Sequence, residues 1–341
     1  MTRLHKGMSL VELMVGVAIG LFLVAVMGAV YLGSRTTFAA QESGSRLQEN
    51  GRFLMDTLSN DLRMSGFRGC ASTVAADNTL NTPTALLYNY GEPIWGSRNT
   101  GGAWSPTLTT PADGLGALPA GDVLVVRHPV GLAWSLISEM TSPAAALTIT
   151  PTATGFAQGD VLLVADCVGS SILQATNAAP GAGGSLAHVM GAAGITPGVS
   201  GNALARGYAN DAQVWRLQTT IYYLADSQRR SGQVALWSQV SPVYDGSAQR
   251  SELVTGVEGF AVTYGVDTDG DLSADRFRRA DLVADWAQVV SARVELLLVG
   301  NGDSKTTVSQ PYVFAGQTVT PTDRKQRSVM TMLVSLRNTV P

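Results

Sequence analysis

The chain has 341 residues, of which 45% are hydrophobic and 14% charged, and its formal net charge is -3. A chain of this length can bury an ample core, and this charge excludes both a broad basic surface for nucleic acid and a strongly acidic disordered tail. Its 37 glycines and low charge are common in secreted β-rich proteins and uncommon in cytosolic enzymes.

The first predicted element is a membrane span. Arg3 and Lys6 precede an uncharged apolar run at residues 13–32, and about 20 such residues cross a hydrocarbon core of ~30 Å. The positive-inside rule places the N-terminus in the cytoplasm and the rest of the chain in the periplasm. A secretory signal peptide and a plain single-span anchor are the alternative interpretations.

One carboxylate, that of Glu12, lies at the mouth of the apolar run, where a charge is costly and needs a partner. Small residues within the run allow close approach of neighbouring helices; they are Gly16, Ala18, Gly20, Ala25, Gly28 and Ala29.

The segment Gly7-Met8-Ser9-Leu10-Val11-Glu12, with the basic residues before it and the apolar run after it, resembles the signal of type IV prepilins. This resemblance implies a leader at residues 1–7, cleavage by the prepilin peptidase after Gly7, and methylation of Met8, where most family members carry Phe. It also implies a transmembrane helix at residues 8–33. The charge of Glu12 would then pair with the amine of Met8 on a neighbouring subunit, which selects the assembly register because an unpaired buried charge costs several kcal/mol.

Helical spacing continues beyond the span, through residues 34–66. Its apolar positions are Phe38, Leu47, Leu54, Leu58 and Leu62. Gly44 and Gly51 weaken the helix locally, and Gly66 and Gly69 end it. We therefore predict one long helix, membranous in its first half and packed on a head in its second.

Residues 67–341 form a predicted β-rich head. Residues 71–121 and 178–201 are rich in loop-forming residues. Strands are predicted at Val123–Val126, Leu147–Thr150, Val161–Ala165, Val214–Leu224, Val234–Val240, Phe260–Val266, Val289–Leu298 and Met330–Arg337.

The only two cysteines, Cys70 and Cys167, follow the long helix and a predicted strand. An even count in the periplasm predicts one disulfide that joins the helix end to the sheet. Two separate buried thiols are the alternative.

Four aspartates, Asp267, Asp269, Asp271 and Asp275, have the spacing of positions 1, 3, 5 and 9 of a calcium loop. The pattern departs from an EF-hand because Leu272 replaces the glycine at position six and Arg278 replaces the glutamate at position twelve. The segment is therefore either a weak calcium site or a solvated hairpin turn, and we predict no other cofactor.

Phrases along most of the chain resemble PilW-type minor pilins. They are NDLRMSGFRGC (60–70), VADCVG (164–169), GVEGFAVTYGVDTDGD (256–271), DWAQVVSARVELLL (285–298) and RSVMTMLVSLRN (327–338). The resemblance implies an α+β pilin-like fold, with a long N-terminal transmembrane helix packed on a largely antiparallel β-sheet head. The expected function is that of a structural minor pilin in type IV pilus assembly, with the expected links to cell adhesion and twitching motility.

The resemblance further implies inner-membrane localisation, then a place in the fibre at or near its tip, and contact with major and minor pilins and the assembly machinery. The size of the head independently favours a minor role. The alternatives are a J-type minor pseudopilin of type II secretion and a tip binding module, either an adhesin or a DNA-uptake pilin. The net charge counts against nucleic acid, and because Gly-x-Ser-x-Gly, His-Glu-x-x-His and Cys-x-x-Cys are absent, we predict no enzymatic activity.

Overall fold

The computed structural model describes residues 7–71, 74–109, 115–151, 155–181, 183–241, 249–300 and 308–338. Its first element is the 55-residue helix α1 (Leu10–Met64), which confirms the prediction of one helix that runs from the apolar segment into the head. Gly66 adopts a φ of +70°, a conformation that glycine reaches without strain. The Gly66 N–H then donates to the carbonyl of Arg127 (3.1 Å), which fixes the exit of the chain from the helix.

Seventeen strands follow in the described residues: β1 (Asp77–Asn78), β2 (Ile94–Thr100), β3 (Ala103–Ser105), β4 (Val123–Ser135), β5 (Leu147–Thr148), β6 (Val161–Ala165), β7 (Ser170–Gln174), β8 (Ser185–Leu186), β9 (Gln213–Asp226), β10 (Val234–Ser241), β11 (Gln249–Thr255), β12 (Val257–Val266), β13 (Arg276–Arg279), β14 (Val289–Val299), β15 (Tyr312–Phe314), β16 (Gln317–Val319) and β17 (Arg327–Ser335). Each predicted strand corresponds to one of them.

The large sheet has nine strands, with β1, β7, β6, β9, β4, β2 and β3 in order. Strand β9 is central: β4 pairs along one edge, while β6 and β10 share the other. All of its pairings are antiparallel except that of β1 with β7.

The small sheet is antiparallel, in the order β13, β12, β14 and β17. Asp122, just before β4, joins it to the large sheet. The backbone N–H of Asp122 donates to the carbonyl of Phe260 (2.8 Å), and its carboxylate accepts from the N–H of Val262 (2.8 Å).

Helix α1 packs on the head through one stripe of residues, which contacts β4, β11, β14 and β17. The stripe consists of Ser43, Leu47, Gly51, Leu54, Leu58 and Leu62. Its spacing of three or four residues keeps one helix face toward the sheets. Leu54, Leu58 and Leu62 are fully buried, and burial of such a side chain contributes about 1.5–3 kcal/mol. The chain thus has the α+β pilin-like fold predicted from the sequence.

Candidate functional site

The N-terminal half of α1 is the first functional element. Among the described residues, only α1 is long and apolar enough to cross a membrane, by length and composition, and the head buries none of this segment. Its apolar side chains, such as Leu21 and Phe22, are exposed and can contact lipid or other helices. Processing between Gly7 and Met8 stays a prediction, since leader residues 1–6 lie outside the described residues.

Glu12 closes a capping box at the start of α1. Its carboxylate accepts from the backbone N–H of Ser9 (3.0 Å), and its own N–H donates to the Ser9 hydroxyl (3.2 Å). This arrangement satisfies two backbone donors and holds a negative charge at the positive end of the helix. The motif Ser-x-x-Glu could have identified Ser9 from the sequence.

A buried polar cluster joins the distal half of α1 to the large sheet. The Tyr222 hydroxyl on β9 donates to the carboxylate of Asp61 on α1. The Nε2 atom of His128, on β4, lies 3.3 Å from the same carboxylate. Burial, followed by the nearby Asp61 charge, raises the pKa of Tyr222 well above its usual value. The phenol therefore stays protonated and keeps its hydrogen bond to the helix. The sequence did not predict this cluster, because Asp61 and Tyr222 are 161 residues apart in the chain.

A disulfide between Cys70 and Cys167 confirms that prediction (S–S 2.07 Å). Cys70 lies in the short 3-10 turn Gly69–Ala71, just beyond the end of α1. Cys167 lies in the turn between β6 and β7, where the Asp166 carboxylate accepts from the N–H groups of Val168 and Gly169. The bond thus joins the helix end to the large sheet.

The aspartate-rich segment is the hairpin loop between β12 and β13, whose last pair is Val266 with Arg276. Carboxylate oxygens of Asp267, Asp269 and Asp275 lie within 4.8 Å of one another. Asp271 does not belong to this group. Its carboxylate instead accepts from the N–H of Ser273 (2.8 Å).

Leu272 takes the conformation expected of the glycine that it replaces. Its φ is 69°, and its N–H donates to the Asp267 carboxylate (2.8 Å). The departure at position six of the sequence pattern therefore does not prevent the sharp turn of a calcium loop.

Two carboxyl groups of the loop have pKa values below their usual range. Burial acts to raise the pKa of Asp267, but hydrogen bonds from the N–H groups of Gly270, Leu272 and Asp269 outweigh it. Hydrogen bonds from the hydroxyl and N–H of Thr268 lower the pKa of Asp275. Both groups are ionised at neutral pH and could bind a hard cation, but the same bonds also stabilise a plain turn. Calcium binding stays a prediction.

Residues 221–338 match the family model of Type IV Pilus-assembly protein W, PilW. This region, about a third of the chain, is similar to the PilW family of type IV pilus assembly. The matched PilW region begins within β9 and extends through the small sheet, and it contains the aspartate-rich loop. The resemblance to PilW is thus confirmed for the matched region. Helix α1, the disulfide and the phrases at 60–70 and 164–169 lie before this region, and the prepilin signal stays a prediction. Comparisons with curated proteins and with solved structures gave no match.

Proposed function

We propose that this PilW-type protein is a structural minor pilin that takes part in type IV pilus assembly, at or near the pilus tip. One observation carries the proposal: a single helix bears both an exposed apolar segment and a buried leucine stripe packed on the PilW-type sheet. The segment that anchors the precursor in the inner membrane is thus continuous with the head, and the same helix can enter a fibre core without refolding.

In this proposal the precursor is inserted with its N-terminus in the cytoplasm and its head in the periplasm. The prepilin peptidase removes residues 1–7, and the assembly machinery of the inner membrane transfers the mature chain to the pilus. The other partners are major and minor pilins. Exposed apolar residues along the first half of α1, among them Val15, Ile19 and Val26, supply the surface for helix contacts with them.

Glu12 has two partners in the proposed assembly pathway. Within one chain its carboxylate accepts from the N–H of Ser9 (3.0 Å). In the fibre it pairs with the methylated amine of Met8 on a neighbouring subunit. A charged pair is stronger than a hydrogen bond to a neutral amide, so the exchange favours the assembled register.

Mass spectrometry of the mature N-terminus tests the processing step. We expect a chain that starts at methylated Met8. Detection of Met1, or of a cut after residue 30, would contradict the prepilin assignment and leave an ordinary anchor or a signal peptide.

Incorporation of variants into pili tests the assembly step. Glu12→Ala should insert normally, because it removes a costly charge from the membrane, but it should be depleted from sheared pili. Glu49→Ala, on an exposed position of the same helix, is the control and should incorporate normally. Equal incorporation of the two variants would exclude the pairing.

Immunogold labelling of pili tests the position in the fibre, and we expect label at fibre ends. Label along the whole fibre would contradict a tip position. Loss of secretion with intact pili in a deletion strain would instead identify a minor pseudopilin.

A further inference from the structure

A small cavity lies between the end of α1 and the large sheet. Its volume is about 20 Å³, and its lining includes Phe67, Arg68, Tyr90, Arg127, Leu163 and Ile172. This volume holds one particle about the size of a water molecule. Arg127 and Tyr90 are only 2% and 5% exposed, so the polar part of the wall is itself buried.

Three buried polar atoms of this wall have no hydrogen-bond partner among the described residues: Nε of Arg127, the hydroxyl of Tyr90 and Nε2 of His128. The last of these lies 3.3 Å from the carboxylate of Asp61. The other two nitrogens of the Arg127 guanidinium donate to the carbonyls of Leu86 and Glu92. The Thr219 hydroxyl, which lies near Tyr90, donates its hydrogen to the carbonyl of Leu87 (2.7 Å). A buried donor without an acceptor is costly, and the Nε–H of Arg127 is such a donor. The Tyr90 hydroxyl can donate either to the Thr219 oxygen or into the cavity.

The charge of the wall is positive. In the described part of the chain, neither Arg127 nor Arg68 forms an ion pair with a carboxylate within 4.0 Å. Burial lowers the pKa of Arg127 to about 10, against the opposing effects of Tyr90 and Glu92. Burial also lowers the pKa of Arg68. Both guanidinium groups nevertheless remain charged at neutral pH, so the cavity adjoins positive charge that no contacting carboxylate neutralises.

We propose that this cavity binds a small monatomic anion, of which chloride is the common example, between the Arg127 guanidinium and the Tyr90 hydroxyl. Both side chains are donors, as an anion requires, and the volume excludes phosphate and carboxylate ligands. Because Phe67 and Arg68 directly follow α1, the anion stabilises the attachment of the helix end to the large sheet.

Bromide provides a direct test. Crystals of the full chain soaked in sodium bromide should show an anomalous peak in the cavity, within hydrogen-bond distance of Arg127 and Tyr90. A site that contains water alone, without an anomalous peak, would overturn the proposal.

Thermal unfolding of the full chain in detergent provides the second test, with sodium chloride compared with sodium gluconate at equal ionic strength. Chloride at ten times its Kd should raise the Tm by about 2 °C, and the effect should saturate at higher chloride. Tyr90→Phe, which removes only the hydroxyl, and Arg127→Met should each reduce this response, whereas Arg52→Met on the exposed face of α1 should retain it. If Arg127→Met does not fold, Tyr90→Phe alone decides; a full response in that variant, or none in the wild type, contradicts chloride binding.

Discussion

Gly51 marks the closest approach of α1 to the small sheet. A Cβ atom at this position would lie 2.1 Å from Sδ of Met330 and 2.9 Å from Cδ1 of Leu298. A Cβ at Gly44, on the same helix, would lie 3.3 Å from the flexible end of Gln326. Alanine stabilises a helix by ~1 kcal/mol relative to glycine, while overpacking of a core costs ~1–3 kcal/mol. We therefore expect Gly44→Ala to raise the free energy of unfolding by about 0.5–1 kcal/mol, and Gly51→Ala to lower it by about 1 kcal/mol.

A double-mutant cycle with Met330→Ala isolates the steric part of this effect. Without the Met330 sulfur and methyl group, only the contact with Leu298 remains, so Gly51→Ala should become neutral or stabilising, with a coupling energy of about 1 kcal/mol or more. The assay is urea unfolding of the full chain in detergent, followed by the fluorescence of core tryptophans such as Trp95 and Trp286. Equal effects of the two glycine replacements, or strict additivity with Met330→Ala, would refute the reasoning.

Three further predictions concern the head. Replacement of both Cys70 and Cys167 by serine should lower the free energy of unfolding by about 2–4 kcal/mol, measured by denaturant titration, and thiol labelling of the unreduced wild type should find no free thiol. Calcium should raise the Tm of the wild type and of Asp271→Ala but not that of Asp269→Ala. At a hundredfold excess over Kd, the stabilisation is at most about 2.7 kcal/mol. Identical melting curves with calcium and with chelator would mean that the aspartate-rich segment is only a solvated turn. Burial raises the pKa of Asp122 from 3.8 to about 6, so the folded protein loses stability as the pH rises from about 4 to about 6 and this carboxyl group ionises. Asp122→Asn should remove about 2–3 kcal/mol of that loss. If the variant shows the same pH dependence of unfolding between pH 4 and 7 as the wild type, the prediction is contradicted.

The long helix and the main strands could be predicted because their signals are local. An uncharged run and a leucine spacing of three or four residues determine α1 wherever the head lies. Strand β7 (Ser170–Gln174) was missed because its serines do not give an apolar alternation. In the fold they are buried, and the Ser171 hydroxyl is hydrogen-bonded to that of Tyr208 (2.8 Å).

Contacts between distant segments could not be predicted from one sequence. No local pattern indicates that Tyr222 is hydrogen-bonded to Asp61. Likewise, the sequence around Gly51 indicates only a weak position in the helix, whereas in the fold Met330 leaves no space there for a Cβ atom. The aspartate spacing predicted a loop in which four carboxylates could converge, and in the fold three of them do. The left-handed backbone conformation of Leu272 could not be predicted from the spacing, since leucine rarely adopts that conformation.

The Cys70–Cys167 bond also determines how the chain transmits mechanical load. In the proposed fibre, tension would enter the subunit through α1 and be resisted by the head. Without the bond, a pull strong enough to detach α1 would go on to unravel the residues that follow it. With the bond, force leaves the backbone at Cys70 and passes directly to the turn after β6, so the 97-residue interval carries no tension. The disulfide thereby prevents this interval from unfolding and lengthening the chain by roughly 330 Å. The covalent path makes the head behave under load as a short, stiff link.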